Sequence, residues 1–315
     1  AFYWAARCGG CEITVTELFM RRITVGELVD IVFWPCTMDF KYSDVEAMAD
    51  GEIDVCFFNG AIRTGENEHL AHLLRRKSKV MVAFGSCDYD GCIPALANLF
   101  SADSIMERVY ETIPTLDGTA GTMPTTVNEV PEGKVLLPEF YEQVKTLAQT
   151  VDVDYYMPGC PPVVDQVWTV LNVILEGKLP PKGSVIGVNP KTNCDECPRT
   201  KVEPGMRVKE WKRPHEVDLD PDLCFLAQGV ICCGPATRAG CGRPCIEGNM
   251  PCRGCYGPPD GVTDQGTKLL SAIGALIDTD DPETMQQSLA SIVDVVGTFY
   301  RFSLAESILS ELKYK

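Results

Sequence analysis

A chain of 315 residues, 45% hydrophobic and 23% charged with mean hydropathy of −0.01, has the make-up of a globular protein, and its length points to two domains. A formal net charge of −16 argues against nucleic acid as a partner, which needs a basic footprint; the acidity reads as solubility. Apolar stretches such as residues 167–175 fall far short of the roughly 20 residues that span a bilayer, so no membrane is expected, and the chain opens without the charged, apolar and cleavage regions of a secretion signal.

Residues 2–5 read as the end of a short strand and residues 12–22 as the helix after it. Three largely apolar runs of strand length follow: VDIVFW at 29–34, VCFFN at 55–59 and VMVAF at 80–84. Between the last two, residues 66–76 have the mixed charged and apolar pattern of an amphipathic helix. Residues 153–157 give a further strand, and residues 162–176 a helix that begins with proline and ends at Gly177. Strands alternating with helices imply a parallel sheet covered on both faces, whose ligands gather at the carboxyl ends of the strands. The reading is therefore α/β, with one domain over residues 1–180. From 181 to about 262 periodicity fades, and a segment so irregular does not stabilise itself by apolar burial alone. Metal binding coupled to folding would supply the difference. Helical patterning returns at 269–277 and 285–299, so the second domain, 181–315, is an irregular segment with a helical tail.

Nine of sixteen cysteines lie between Cys194 and Cys255. In a long chain without a secretion signal such thiols are metal ligands before they are disulfides. Cys8 and Cys11 follow the first strand in ARCGGCE, Cys87 another in FGSCDYDGC, and Cys160 a third in MPGCPP. Three loops thus bring four thiolates to one edge of one sheet, a complete set for one 4Fe–4S cluster, and the neighbouring glycines allow close backbone approach. Cys56 reads as a small hydrophobe within its strand, and Cys36, just past a strand, as core packing. In the second half eight cysteines divide into Cys194, Cys197, Cys224 and Cys232, and Cys241, Cys245, Cys252 and Cys255. C-x-x-C pairs are also zinc signatures, so a zinc-binding structural protein is the alternative from a different class.

The ordered motifs C-G-G-C-E, G-S-C, P-G-C-P-P, C-x-x-C, C-C-G-P-A-T-R-A-G-C and P-C-R-G-C, running from Cys8 to Cys255, resemble those of the small subunit of nickel–iron hydrogenases. The resemblance implies a flavodoxin-like domain followed by an iron–sulfur domain. It implies three 4Fe–4S clusters: proximal on Cys8, Cys11, Cys87 and Cys160; distal on Cys194, Cys197, Cys224 and Cys232; medial on Cys241, Cys245, Cys252 and Cys255. Cys36, Cys56, Cys92 and Cys233 are left over. Cys92 lies five residues after Cys87 where the family usually has glycine, and the C-x-G-P spacing favours Cys232 over Cys233. Many members have a histidine where this chain has Cys194 and a proline where it has Cys245. Added thiolate charge lowers reduction potential, which would suit a low-potential acceptor.

The pattern is most similar to the methyl-viologen-reducing, non-deazaflavin-reducing branch from methanogenic archaea. That likeness implies a cytoplasmic complex in which hydrogen is oxidised in a separate nickel–iron large subunit. Electrons would pass through this chain to an iron–sulfur adaptor and heterodisulfide reductase, and the isolated chain would have no hydrogenase activity. The deazaflavin-reducing branch is the alternative; its members tend to carry C-x-x-C-x-x-C runs, and none occurs here. Glu12, beside Cys11, reads as a helix-start carboxylate or a group near the subunit interface that helps proton movement. Glu66 and Glu68 read as helix-start carboxylates or contacts to the large subunit. His215 imitates the family's histidine ligand but is not needed beside four thiolates.

Overall fold

The computed structural model describes residues 1–115, 123–277 and 281–313. Four parallel strands, β1 (Phe2–Trp4), β2 (Ile53–Asn59), β3 (Ser78–Phe84) and β4 (Tyr155–Met157), lie side by side in chain order. Their register pairs Phe2 with Phe57, Val55 with Val80 and Val82 with Tyr155. Successive side chains point to opposite faces. Phe57, Val82 and Phe84 pack under α1 (Gly10–Arg21) and a later helix, Val164–Leu175, through Val15, Leu18 and Val167. Phe58, Met81 and Ala83 pack on the other face under α2 (Gly65–Lys77), through Leu70 and Leu74. Each such large aliphatic or aromatic side chain contributes about 1.5–3 kcal/mol by its burial. An α/β fold with a parallel sheet covered on both faces is what results.

The run at 29–34 is not a strand. Val29 is extended and Phe2 N donates to Phe33 O at 2.7 Å, so the run lies along the free edge of β1 without a ladder. Pro35 follows at once, and Trp34 O accepts from Thr37 N and Met38 N at 3.0 Å, turning the chain away. Its apolar residues are accounted for by burial: Phe33 and Trp34 are inside, Trp34 with its ring 4.8 Å from that of Phe2. The hairpin of Val127–Val130 with Gly133–Leu136 and the antiparallel pair of Ile62–Thr64 with Phe140–Lys145 add to the strands expected from the sequence.

The second half owns an apolar core after all. Trp211, Phe225, Val230, Leu269, Phe299 and Leu304 form it, and the helical tail supplies half of these. Ala61, Ala95 and Val144 from the first half join the same cluster. The halves also interlock by hydrogen bonds, Cys92 N to Phe302 O at 3.1 Å and Gln149 Nε2 to Ala305 O at 2.9 Å. The tail helix expected over 285–299 is two helices, Pro282–Ala290 and Val295–Phe299. Asp294 separates them because its Oδ1 accepts from Gly297 N at 2.8 Å and caps the second.

Candidate iron–sulfur sites

The first cysteine set sits at the carboxyl edge of the sheet. Cys8 follows β1, Cys11 lies in the first turn of α1, Cys87 in the short helix α3 (Ser86–Tyr89) after β3, and Cys160 just past β4. The last two loops are tied together by Gly85 N to Met157 O at 2.8 Å, Ser86 N to Gly159 O at 2.9 Å and Gly159 N to Ser86 Oγ at 3.0 Å. Gly85 has φ +106°, and a Cβ there would stand 2.7 Å from Cys11 Sγ and 2.8 Å from Asn59 Nδ2. Only glycine satisfies both the backbone and the sulfur. Burial, then Asp88 and Cys87, pushes the Cys11 thiol up, while a hydrogen bond from Asn59 opposes them.

Cys92 is a fifth thiol at this place. It is wholly buried, with φ +48°, and its Sγ is 3.6 Å from Cys160 Sγ. Hydrogen bonds with Cys160 and Cys87 raise its pKa, and the bond from Cys92 lowers that of Cys160.

The other two sets converge as well. Cys194 is pushed up to about 12 by burial and then by Cys224, with Cys197 adding to it. A Cβ on Gly234 would stand 2.9 Å from Cys194 Sγ and 3.6 Å from Cys232 Sγ, so these sulfurs share one cradle. Cys241, Cys245, Cys252 and Cys255 line a cavity of about 410 Å³ together with Cys160, Asn193 and Thr237. Burial raises Cys252, opposed by hydrogen bonds from the Asn193 and Thr237 side chains. Cys255 is raised by burial and then by Cys252, Cys160 and Cys241, so it faces both the sheet-edge thiols and its own set. Cys252 in turn acts on Cys194. Cys160, and Asn193 next to Cys194, line the same cavity, so it adjoins both other sets.

These surroundings fit iron–sulfur clusters. All sixteen cysteines are free thiols. The three groups of four are lined by glycine and by amide and hydroxyl donors, which suit cluster sulfurs. No three Cys, His, Asp or Glu among the described residues converge closely enough to hold a single metal ion. Thiolates around a cluster of several irons and sulfides stand farther apart than those around one ion. When bound, such clusters take up and release single electrons.

The remaining residues fall elsewhere. Cys56 is a buried core residue of β2. Cys36 is exposed rather than packed in the core, because the turn after Trp34 carries it outward. Cys233 is buried with its Sγ 3.9 Å from Thr298 O, directed at the tail. Glu12 is buried in the first turn of α1 and ion-paired with Arg7; burial raises its pKa, and Arg7 opposes this. Glu66 and Glu68 occupy the first turn of α2, where Tyr42 and Tyr141 hydroxyls donate to them. His215 is exposed, in the short helix Pro214–Glu216. Gly85, Gly234, Asn59, Asn193 and Thr237 join the sites only through the fold; of these, the glycines adjoining G-S-C and C-C-G-P alone carry a signal in the sequence.

A parallel sheet that presents cysteine loops at one edge, against a second half with two further thiol sets, is the arrangement of an iron–sulfur electron-transfer subunit. The family model described as NADH ubiquinone oxidoreductase, 20 Kd subunit, matches residues 8–174, which take in all four sheet-edge cysteines. The chain is 37% identical over 319 residues to the iron-sulfur subunit of the F420-non-reducing hydrogenase of Archaeoglobus profundus, covering 100% of this chain and 98% of that protein. It is 36% identical over 312 residues to the corresponding F420-non-reducing hydrogenase subunit of Methanothermobacter marburgensis, covering 97% and 94%. Among solved structures, the crystal structure of an NAD+-reducing NiFe-hydrogenase in the H2-reduced state aligns with a TM-score of 0.48 and 29% identity, over 57% of this chain and 91% of that one. The chain belongs to the family of small, iron–sulfur subunits of F420-non-reducing nickel–iron hydrogenases. It is one subunit of an oxidoreductase complex. No helix among the described residues is long and apolar enough to cross a membrane.

Proposed function

We propose that this chain is the electron relay of a cytoplasmic hydrogenase, carrying electrons from hydrogen oxidation in the large subunit through three 4Fe–4S clusters to an iron–sulfur adaptor and heterodisulfide reductase. Cys8, Cys11, Cys87 and Cys160 hold the proximal cluster, Cys241, Cys245, Cys252 and Cys255 the medial, and Cys194, Cys197, Cys224 and Cys232 the distal. The observation that carries this reading is the shared cavity, which Cys160 of the sheet-edge set and Asn193, the neighbour of Cys194, line together with Cys241, Cys245, Cys252 and Cys255. Residues 1–180 form the flavodoxin-like domain and 181–315 the iron–sulfur domain. The glycines let backbone and sulfur approach, and Asn59, Asn193 and Thr237 donate toward thiolates, favouring their charged, metal-binding form.

Iron and acid-labile sulfide on anaerobically purified protein test the reading. About twelve of each per chain are expected from three cubane clusters. About eleven iron would remove Cys245 from the ligand set, and zinc in place of iron would overturn the electron-transfer reading. Four thiolates at both sites of the second half further predict negative potentials for medial and distal clusters in a redox titration monitored by electron paramagnetic resonance.

A further inference from the structure

On a chain of net charge −16, one groove has the opposite sign. It encloses about 760 Å³ beside the break between the two tail helices, and Arg213, Arg253, Arg301 and Lys212, the last with Nζ 3.8 Å from Glu210 Oε2, line it with one carboxylate, Asp294. That carboxylate is already engaged in capping the helix Val295–Phe299. Arg301 is anchored from below, donating its Nε to Gly297 O at 2.8 Å. Burial first, and then the nearby Arg253 guanidinium, hold Arg301 below its ordinary pKa. Two guanidiniums facing one hollow repel each other unless an anion lies between them.

A second observation points the same way. Trp211, only 4% exposed, lines this groove, and its Nε1 is buried without a partner among the described residues. A buried donor left unpaired is unfavourable, and an acceptor entering the groove beside Trp211 would offer it a partner. Met250, 46% exposed, and Val293, 72% exposed, place apolar surface among the cations.

We propose that this groove docks a carboxylate-rich segment of a partner protein. The cations come from three separate stretches of chain and alternate with apolar side chains, a surface matched to a peptide bearing both kinds of group rather than to one small oxyanion. Tryptophan and arginine are the residues that anchor such contacts. A local basic site on an acidic molecule also orients an acidic partner as it approaches. Cys245 lines the same groove, so the docked segment lies against the wall of the cavity set. That its owner is a redox protein rests on the relay proposed above; the docking itself does not.

The test uses the assembled hydrogenase complex and fluorescein-labelled poly-glutamate, with poly-lysine as the control of opposite sign, followed by fluorescence anisotropy. Poly-glutamate should bind and poly-lysine should not, and binding should weaken with salt. The exposed double variant K212Q/R213Q, and separately R301Q, should weaken it about tenfold, while K134Q on the distant hairpin should leave it unchanged. Unchanged affinity in the groove variants, an equal loss in K134Q, or no binding to the complex would each overturn the proposal. So would full displacement by inorganic phosphate at the poly-glutamate concentration, which would make the groove a small-anion site. Iron per chain separates the two readings: lost docking with iron retained concerns the groove alone, and lost iron with docking retained concerns the relay alone.

Discussion

Gly85 and the cysteines around it give the sharpest residue-scale prediction. With φ +106° and a Cβ position 2.7 Å from Cys11 Sγ, Gly85→Ala must move β3's loop or the sulfur. The variant is expected to fold, by its circular dichroism, yet to lose about four irons per chain, the content of one cubane. Full iron retention would mean that the loop yields and that the cradle is not shaped for a cluster. Cys87 and Cys92 divide in the same assay. Cys92 Sγ lies 3.6 Å from Cys160 Sγ, so five thiols meet here, and the G-S-C motif makes Cys87 rather than Cys92 the expected ligand. C87S should therefore lose about four irons and C92S keep them. The candidate thiol sets are legible in the sequence because cysteines repeated at such short spacings have few uses other than metal ligation or disulfides. Asn59, Asn193 and Thr237 are not, because an amide or hydroxyl becomes informative only when folding puts it against a particular sulfur.

At the scale of elements, one carboxylate pins the far end of the sheet. Asp154 Oδ2 accepts from Met81 N at 2.8 Å and from Arg75 Nη1 at 2.6 Å, and Lys182 Nζ lies 2.5 Å from Oδ1, so β3, α2 and the start of the second half meet on it. Burial raises its pKa, but Lys182, the Met81 amide and Arg75 together outweigh that and hold it below the ordinary value. Because the folded value is the lower one, the stabilisation is fully present above the unfolded carboxylate's pKa of about 3.9 and fades as pH falls through the folded value. Asp154→Asn should cost about 2 kcal/mol in urea unfolding at pH 7. The difference from the parent should shrink as pH drops below about 4, and a constant difference would contradict this role for the charge. Strands β2 and β3 are readable as short apolar runs and helix α2 from its mixed charged and apolar pattern. The run at 29–34 misleads because apolar residues buried beside a sheet edge look the same in sequence as residues within a strand. The break at Asp294 is hidden because its capping acts on the next turn, while the apolar period continues across it.

For the whole molecule, the decisive property is that the irregular half is not independent. Phe225, Trp211 and Val230 reach burial only with the tail helices and with Ala61, Ala95 and Val144 of the sheet half around them. Such long-range closure leaves no local pattern, so the sequence presents two grammars where the fold lets the halves share one of its core clusters. The thiol sets reach into that closure: Cys232 and Cys252 are members of the core cluster itself. Removing iron would strip the charge-balancing centres from thiolates that burial disfavours as anions, leaving neutral thiols around a cavity of about 410 Å³. Loss of structure should begin there. Hydrogen exchange on chelator-treated protein is expected to rise first across Asn189–Thr192 and the loops bearing Cys194 to Cys255, while β2 and β3 keep their protection. Simultaneous loss of protection in β2 would show instead that the clusters hold the sheet half as well. In that case the proximal set, tied to β3 and β4 through Gly85 and Ser86, would be the keystone of both halves.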